Sequence, residues 1–443
     1  MSINREIVRL SVPTIVSNIT IPLLGICDTA ISGHLGSELF LSAIAVGSVM
    51  QNVVFWIFGF LRGGTTGLTA NALGAGCEEE VSKVFYRALM IAAIAGTLLI
   101  VFQSPVFSFL CWITGGSDEI NEYVSAYFTL RIWGGPALLA VIAISGWFVG
   151  MQNTFYPMVI AIMMNVANIG MSCLLVYGFD YGFNGVALGT MISNWLGLVI
   201  AVGCMIWFRK GKILKCSIFN LLRGQWWRYF SVNGNLFLRS LLIICVTMGV
   251  TAAGARLGNL TLAINVIIMQ FFQFFSFFMD GFAYSGEAMV GLRCGEGNFM
   301  MLKKCVAHLL QWTLATGLVF SIIYFFGTPA ITSLLTDSPD VIEGVANLTP
   351  WVASIPILSC WAFIYDGFYV GITDTFKMML SALLGAILFF FIISLDNAFP
   401  EIDGNKVIWT AFISYLLGRG IFLAAIWRKT VITHEKRYIL GLN

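Results

Sequence analysis

Long apolar stretches alternate with short polar connections along the whole chain. Twelve such stretches lie near 7–34, 39–75, 84–112, 124–151, 156–179, 185–208, 230–255, 259–293, 305–327, 347–371, 377–395 and 406–427. Each is long enough to cross a bilayer, which takes about 20 apolar residues per helix. Hydrocarbon offers the backbone no hydrogen-bond partners, so these stretches are expected to be helical. The pattern predicts an all-α polytopic membrane protein with twelve transmembrane helices.

The second half of the chain repeats the first. FVGMQNTF at 148–155 recurs as YVGITDTF at 369–376, and GAG at 74–76 recurs as GEG at 295–297, each displaced by 221 positions. AIAV from Ala43 returns as AINV with a displacement of 220. Since this displacement spans six helices, both copies have the same orientation, which is a parallel repeat about an axis along the membrane normal. We therefore expect two pseudo-symmetric six-helix lobes facing each other across a central cavity.

The domain boundaries follow from the longest polar connection, which is basic and comes after the sixth stretch. They give an N-lobe with helices 1–6 over 1–208, a basic cytoplasmic linker over 209–229, and a C-lobe with helices 7–12 and a cytoplasmic tail over 230–443. Of the Lys and Arg residues in the connections, in the termini and at the ends of the spans, eighteen fall on one side and only Arg256 and Lys406 on the other. The positive-inside rule then predicts that both termini are cytoplasmic.

Composition narrows the functional classes. The chain has 443 residues, 58% hydrophobic and 10% charged, whereas soluble domains carry about 25% charged residues. These numbers exclude a soluble enzyme, and a net charge of +2 gives no reason to expect nucleic acid as a partner. The ten cysteines form no C-x-x-C pair, and no phosphate-binding loop motif occurs. We expect no catalytic residues, no metal site and no cofactor.

Asp28 is the strongest functional candidate in the N-lobe. A charged side chain in hydrocarbon costs about 2.5–3.5 kcal/mol on insertion scales, so an ionisable residue within a span is a functional candidate by default. Pro22 and Gly25 precede Asp28 on the same helix and loosen its hydrogen bonding, which predicts a hinge. For Pro22 alone, a static kink is the competing interpretation. A protonatable group beside a hinge is what an ion-driven switch requires.

Polar residues on the fifth and sixth spans complete the candidate coupling site. Asn165, Asn168 and Ser172 are spaced three and four apart and share one helical face. With Thr190 on the next span, they are predicted to form a polar pocket with Asp28. Hydrogen bonding that merely joins helices is the alternative.

The C-lobe holds more charge than the N-lobe. Asp280 and Glu287 lie seven residues apart on the eighth span, and Asp366 and Arg239 lie on the tenth and seventh. We expect Arg239, Asp280, Glu287 and Asp366 to form one charge network with a structural or gating role, and proton binding is the second interpretation.

Five segments resemble one transporter family. They are PLLGICDTAISGHLG from Pro22, the arginine of FLRS at 239, ARLGNLTLAIN from Ala255, GFAYSGEAMVG from Gly281 and DGFYVGITD from Asp366. Together they resemble the DinF branch of the multidrug and toxic compound extrusion (MATE) family. The resemblance implies a twelve-helix, two-lobed antiporter that exports organic, often cationic, compounds in exchange for protons or sodium. It also implies the roles of the first-helix acid, the bending proline, the fifth-helix asparagine and the sixth-helix threonine for Asp28, Pro22, Asn168 and Thr190.

One departure from the family pattern bears on the coupling ion. Many relatives carry an aspartate four residues after the asparagine, where this chain has Ser172. The N-lobe site then has one carboxylate, which favours H⁺ over Na⁺ as the coupling ion. Sodium held in the C-lobe by Glu287 and Asp366 is the alternative.

The sequence therefore predicts a cation-coupled, inner-membrane multidrug efflux antiporter that works by alternating access. Its expected partners are drug-like small molecules and membrane lipid, and it is expected to be a monomer. A lipid-linked oligosaccharide flippase of the same superfamily is the alternative, but the acids within the spans argue against the basic cavity such a protein needs. Arg62, Arg131 and Arg239 leave an anionic substrate open.

Overall fold

The computed structural model describes residues 2–33, 38–114, 118–211, 221, 226–395 and 403–441. Within these ranges the chain is almost entirely helical and contains no strand. In the first half the helices are α1 (Ile3–Gly33), α2 (Glu38–Ile57), α3 (Gly59–Gly74), α4 (Glu78–Val101), α5 (Gln103–Thr114), α6 (Asp118–Ile132), α7 (Gly135–Gly150), α8 (Phe155–Cys173) and α9 (Gly182–Phe208). In the second half they are α10 (Trp226–Arg256), α11 (Asn259–Gly295), α12 (Phe299–Leu335), α13 (Pro339–Asn347), α14 (Thr349–Gly371), α15 (Thr375–Ser394) and α16 (Gly404–Ile439).

The helices confirm the predicted polytopic membrane fold. Ten segments of the described chain are long and apolar enough to cross a membrane, and a bent pair, Ile120–Ile132 with Gly135–Gly150, makes an eleventh. The first predicted span, 7–34, coincides with α1. Some spans are broken: α2 and α3 share one predicted stretch, and α4 and α5 share another. The protein is a multi-pass membrane protein.

The chain divides into two compact units. One contains 1–15, 74–76 and 227–443, and the other contains 16–73 and 77–226. The expected lobe boundaries at 208 and 230 stay a prediction, because this division assigns the start of α1 to the same unit as the second half. In that unit, Ser11 hydrogen-bonds Ser285 across 2.8 Å, and Glu6 pairs with Arg293 at 3.6 Å.

The turns of the two halves repeat in backbone conformation as well as in sequence. Gly76 and Gly297 have φ angles of 70° and 68°, and Gln152 and Thr373 have φ angles of 61° and 60°. Both pairs are separated by the 221 positions that relate the sequence repeats. Left-handed backbone is uncommon outside glycine, so its recurrence at Gln152 and Thr373 indicates one inherited turn structure.

The residue after this turn serves different purposes in the two halves. Asn153 accepts hydrogen bonds from the backbone N–H groups of Phe155 and Tyr156 and so caps α8. Asp374, its counterpart, makes no such cap; its carboxylate accepts a 2.7 Å hydrogen bond from Lys377 and lies 3.8 Å from His434. Burial acts to raise the pKa of Asp374, but His434 and Lys377 outweigh burial and lower that pKa below its ordinary value.

Asp374→Asn is expected to destabilise the protein near pH 7 by about 1–3 kcal/mol, the usual contribution of a charge-assisted hydrogen bond. A depressed carboxyl pKa stabilises the fold above the unfolded-state pKa, near 4, and this stabilisation is lost as the pH falls through the folded-state pKa. The difference in thermal stability between wild type and Asp374→Asn in detergent should therefore shrink toward acid pH. The variant should fold, because the first half carries asparagine at this position. A difference that is constant from pH 7 to pH 3 would contradict the assignment.

Candidate functional site

A buried polar face lies where α8 packs on α9. Asn168 donates a 2.9 Å hydrogen bond from Nδ2 to Thr190 Oγ1 and a second, 3.4 Å long, to Ser193 Oγ. Thr190 in turn donates to the carbonyl of Val186. The structure thus brings together Asn168 and Thr190, two of the residues that the sequence groups into one pocket.

Two oxygens on this face have no hydrogen-bond partner among the residues that the structure describes. They are Asn168 Oδ1 and Ser172 Oγ, both buried and one helical turn apart on α8. Buried polar atoms without partners are uncommon in folded proteins and call for an explanation, such as a role in binding an ion or a proton. A π-helical turn, Leu174–Gly178, follows directly. Such turns often occur at functional positions.

The α8–α9 contact at this face is unusually close. A Cβ atom at Gly189 would lie 2.5 Å from Ser172 Oγ and 2.7 Å from Ser172 N, which is too close for any larger residue without a shift. Small residues allow membrane helices to approach in this way. Ser172 is therefore both a potential oxygen ligand and part of a close packing contact between the two helices.

The fifth-span residue Asn165 joins this face to α1. Its Nδ2 donates a 2.7 Å hydrogen bond to Thr20 Oγ1, and Thr20 donates to the carbonyl of Ser17. α1 continues as a helix through the predicted hinge residues Pro22 and Gly25. The side chain of Asp28 lies outside the described residues, so its position relative to Asn168 and Ser172 stays a prediction.

In the second half, Asp366 lies between two guanidinium groups. Asp366 Oδ2 accepts from Arg239 on α10 and, at 2.5 Å, from Arg419 on α16. Tyr415 supports Arg419 through a 3.0 Å contact between its hydroxyl and Nη1, and its ring lies against the same guanidinium group. The Arg419 side chain is 5% exposed and that of Arg239 is 22% exposed, so the pairing with Arg419 is the deeper one.

The predicted network of four charges is thus seen in part. Arg239 and Asp366 are paired as expected, while Glu287 is buried on α11 and Asp280 is half-buried on the same helix. Arg419 was not expected in this cluster. Its position within the last span gave a signal that it needed a buried counter-charge, but the sequence offered no means of choosing the acid. Within the described ranges, no three His, Cys, Asp or Glu side chains cluster closely enough to hold a metal ion.

The MatE family model matches residues 13–174 and 236–394 of this chain. The chain belongs to the MatE family. The two matched segments contain Asn168 and Ser172 of the first cluster and Arg239 and Asp366 of the second. This MatE protein has a transporter role, as the resemblance of its first and eighth predicted spans to MATE transporters implies.

Curated relatives support the same assignment. The chain is 31% identical over 436 residues to DNA damage-inducible protein F of Escherichia coli K12, covering 97% of this chain and 93% of the relative. It is 23% identical over 388 residues to a probable multidrug resistance protein NorM of Xanthomonas campestris, covering 83% and 81% of the two chains.

Solved structures share the fold of this MatE protein. A MOP superfamily transporter from Pyrococcus furiosus superposes with a TM-score of 0.88 at 16% identity, covering 98% of this chain and 97% of the other. A MATE structure in complex with MaD3S superposes with a TM-score of 0.85 at 16% identity, covering 98% of both chains.

Asp366→Asn should lower the stability of the MatE protein by about 3–5 kcal/mol, because it leaves the buried Arg419 without its counter-charge. Arg419→Gln should cost less than Asp366→Asn, because Asp366 keeps its pair with Arg239. Arg239→Gln should cost less, since the Arg239 side chain is more exposed. The double variant Asp366→Asn with Arg419→Gln should lose less than the sum of the two single losses. Thermal unfolding of the purified variants in detergent measures these differences. Strictly additive losses would show that Asp366 and Arg419 do not act as a pair.

Proposed function

We propose that this protein is a proton-coupled antiporter of the inner membrane that exports organic, cationic or amphipathic compounds by alternating access. It is proposed to act as a transporter and not as an enzyme, with both termini in the cytoplasm. The MatE membership and the multidrug resistance proteins among the relatives support the export of drug-like compounds. The coupling ion is argued from the two clusters of polar residues.

The neutral polar face of α8 and α9 carries the proposal. The oxygens that the described residues offer there, Asn168 Oδ1 and Ser172 Oγ, come from uncharged side chains. Hard cations take several oxygen ligands and are held best where carboxylates contribute charge. A proton needs only one carboxyl group, which on this chain is proposed to be Asp28.

The second half offers a poor alternative for sodium. The alternative holds sodium with Glu287 and Asp366, but one oxygen of Asp366 already accepts from Arg239 and Arg419. A sodium ion would have to approach a carboxylate flanked by two positive charges. This electrostatic cost favours the first half as the site of coupling.

The proposed cycle uses α1 as the moving part. Asp28 binds a proton, and the loss of its charge changes the bend of α1 near Pro22 and Gly25. Pro22 cannot donate a backbone hydrogen bond to the carbonyl four residues earlier, so the helix is weakest in this region. The Thr20–Asn165 hydrogen bond is the described contact that such a change in bend would disturb first.

Asp28→Asn should fold but lose gradient-driven export at least tenfold, because the amide has nearly the same volume and cannot titrate. The measurement is export of a fluorescent cationic dye from proteoliposomes under an imposed pH gradient. Asp337→Asn, which makes the same change at an exposed position, serves as the matched control and should transport like wild type. Full export by Asp28→Asn would overturn the proposed coupling role.

Ser172→Asp should make export sensitive to a sodium gradient at constant pH and membrane potential, because it restores a second carboxylate beside Asn168. Ser172→Asn has the same volume without the charge and controls for crowding against Gly189. Wild-type export driven by sodium alone, and insensitive to a pH gradient, would exclude the proton as coupling ion.

A further inference from the structure

Arg131 carries a guanidinium group at the end of α6. Its Nη1 donates to Tyr127 Oη at 2.6 Å and to Ser48 Oγ at 3.2 Å, and it lies 5.1 Å from the centre of the Tyr127 ring. No carboxylate pairs with it in the described part of the chain. Its Nε is buried and has no acceptor.

Packing and hydrogen bonds between α2 and α6 hold this charge in place. Tyr127 is fully buried beneath Arg131, and Ser48 hydrogen-bonds the Tyr127 hydroxyl at 3.0 Å. One turn further along α2, buried Gln51 donates to the carbonyl of Phe128 and fixes α2 against α6. Directly after Arg131 the span breaks and bends by 52° at Trp133 and Gly134, where α7 begins.

The internal repeat shows that the fold does not need this polar cluster. A displacement of 221 carries Tyr127 to Leu348 and Arg131 to Val352, and a displacement of 220 carries Ser48 to Ile268 and Gln51 to Phe271. All four counterparts are buried and apolar. The same architecture is thus built in the second half without a single polar group at these positions.

We propose that Arg131, with Ser48 and Tyr127, binds the oxyanion group of an amphipathic acid, as a carboxylate, sulfonate or phosphate. A guanidinium group recognises oxyanions through paired N–H donors, and the described hydrogen bonds of Arg131 engage only its Nη1. An uncompensated guanidinium group inside a membrane span costs free energy that a bound anion recovers. The source of the anion is either a soluble acid or the headgroup of an anionic lipid. Its identification as a substrate rests on the proposed export function, whereas the binding itself does not.

The test compares two probes that share a tail and differ in the charge of the head: radiolabelled octanoate and octyltrimethylammonium. Binding is measured by equilibrium dialysis of the purified full-length protein in maltoside micelles. Wild type should bind octanoate saturably, and Arg131→Gln should weaken that binding at least tenfold while leaving the cationic probe unaffected. Arg256→Gln, which removes one exposed positive charge, is the matched control and should bind like wild type.

A second variant, Ser48→Asp, decides the question if Arg131→Gln does not fold. It places a carboxylate beside Arg131 and should abolish octanoate binding while raising the melting temperature. Competition by phosphatidylglycerol, but not by phosphatidylcholine, would identify a lipid headgroup as the source; no competition would identify a soluble acid. Absence of octanoate binding by wild type, unchanged binding by the variants, or equal loss of both probes would overturn the proposal. Equilibrium dialysis measures binding without transport. Failure of the proposed export function would therefore not change the outcome of this binding test.

Discussion

An ionised group inside a membrane span is stable only if other groups of the protein, or a ligand, replace the water it has lost. This constraint explains the arrangement around Asp366, where two arginines from α10 and α16 meet one carboxylate. Pairing within hydrocarbon is costly to assemble and costly to break, so such a cluster fixes which helices stay together. The two guanidinium groups therefore tie α10 and α16 to α14, and they make Asp366 a structural acid before any other role is considered.

The first half meets the same constraint with neutral groups. Asn168, Thr190 and Ser193 satisfy one another by hydrogen bonds, at no cost of burying charge. The exceptions are the two oxygens without partners, on Asn168 and Ser172. Buried acceptors without partners are uncommon, so these two oxygens support the coupling site that we propose at this face.

The sequence predicted the polytopic helical fold and the repeat because both depend on local composition and on simple displacement. It predicted twelve spans, and the described ranges contain ten, or eleven with the bent pair. It also placed Asn168 beside Thr190 and Arg239 beside Asp366, since opposite charges and hydrogen-bonding groups inside spans have few possible partners. The sequence did not predict that Arg419 pairs with Asp366, or that Arg131 has no acidic partner among the described residues. Both outcomes depend on which helix faces meet across long sequence separations. The π-helical turn at Leu174–Gly178 has no evident sequence signal, as it requires no proline or glycine at its start.

The serine at position 172 belongs both to the packing of α8 on α9 and to the proposed coupling site. Gly189 brings the backbone of α9 so close that a Cβ atom there would contact Ser172 Oγ at 2.5 Å. An aspartate at 172 would bring both a charge and additional volume into this contact, so the helices would have to separate or the side chain would have to turn toward α1. Overpacking of this kind usually costs about 1–3 kcal/mol. The close α8–α9 contact and the neutral character of the face are therefore related. Packing through Ser172 and Gly189 disfavours a second carboxylate at position 172, and without that carboxylate the face lacks the charge that favours a metal cation over a proton.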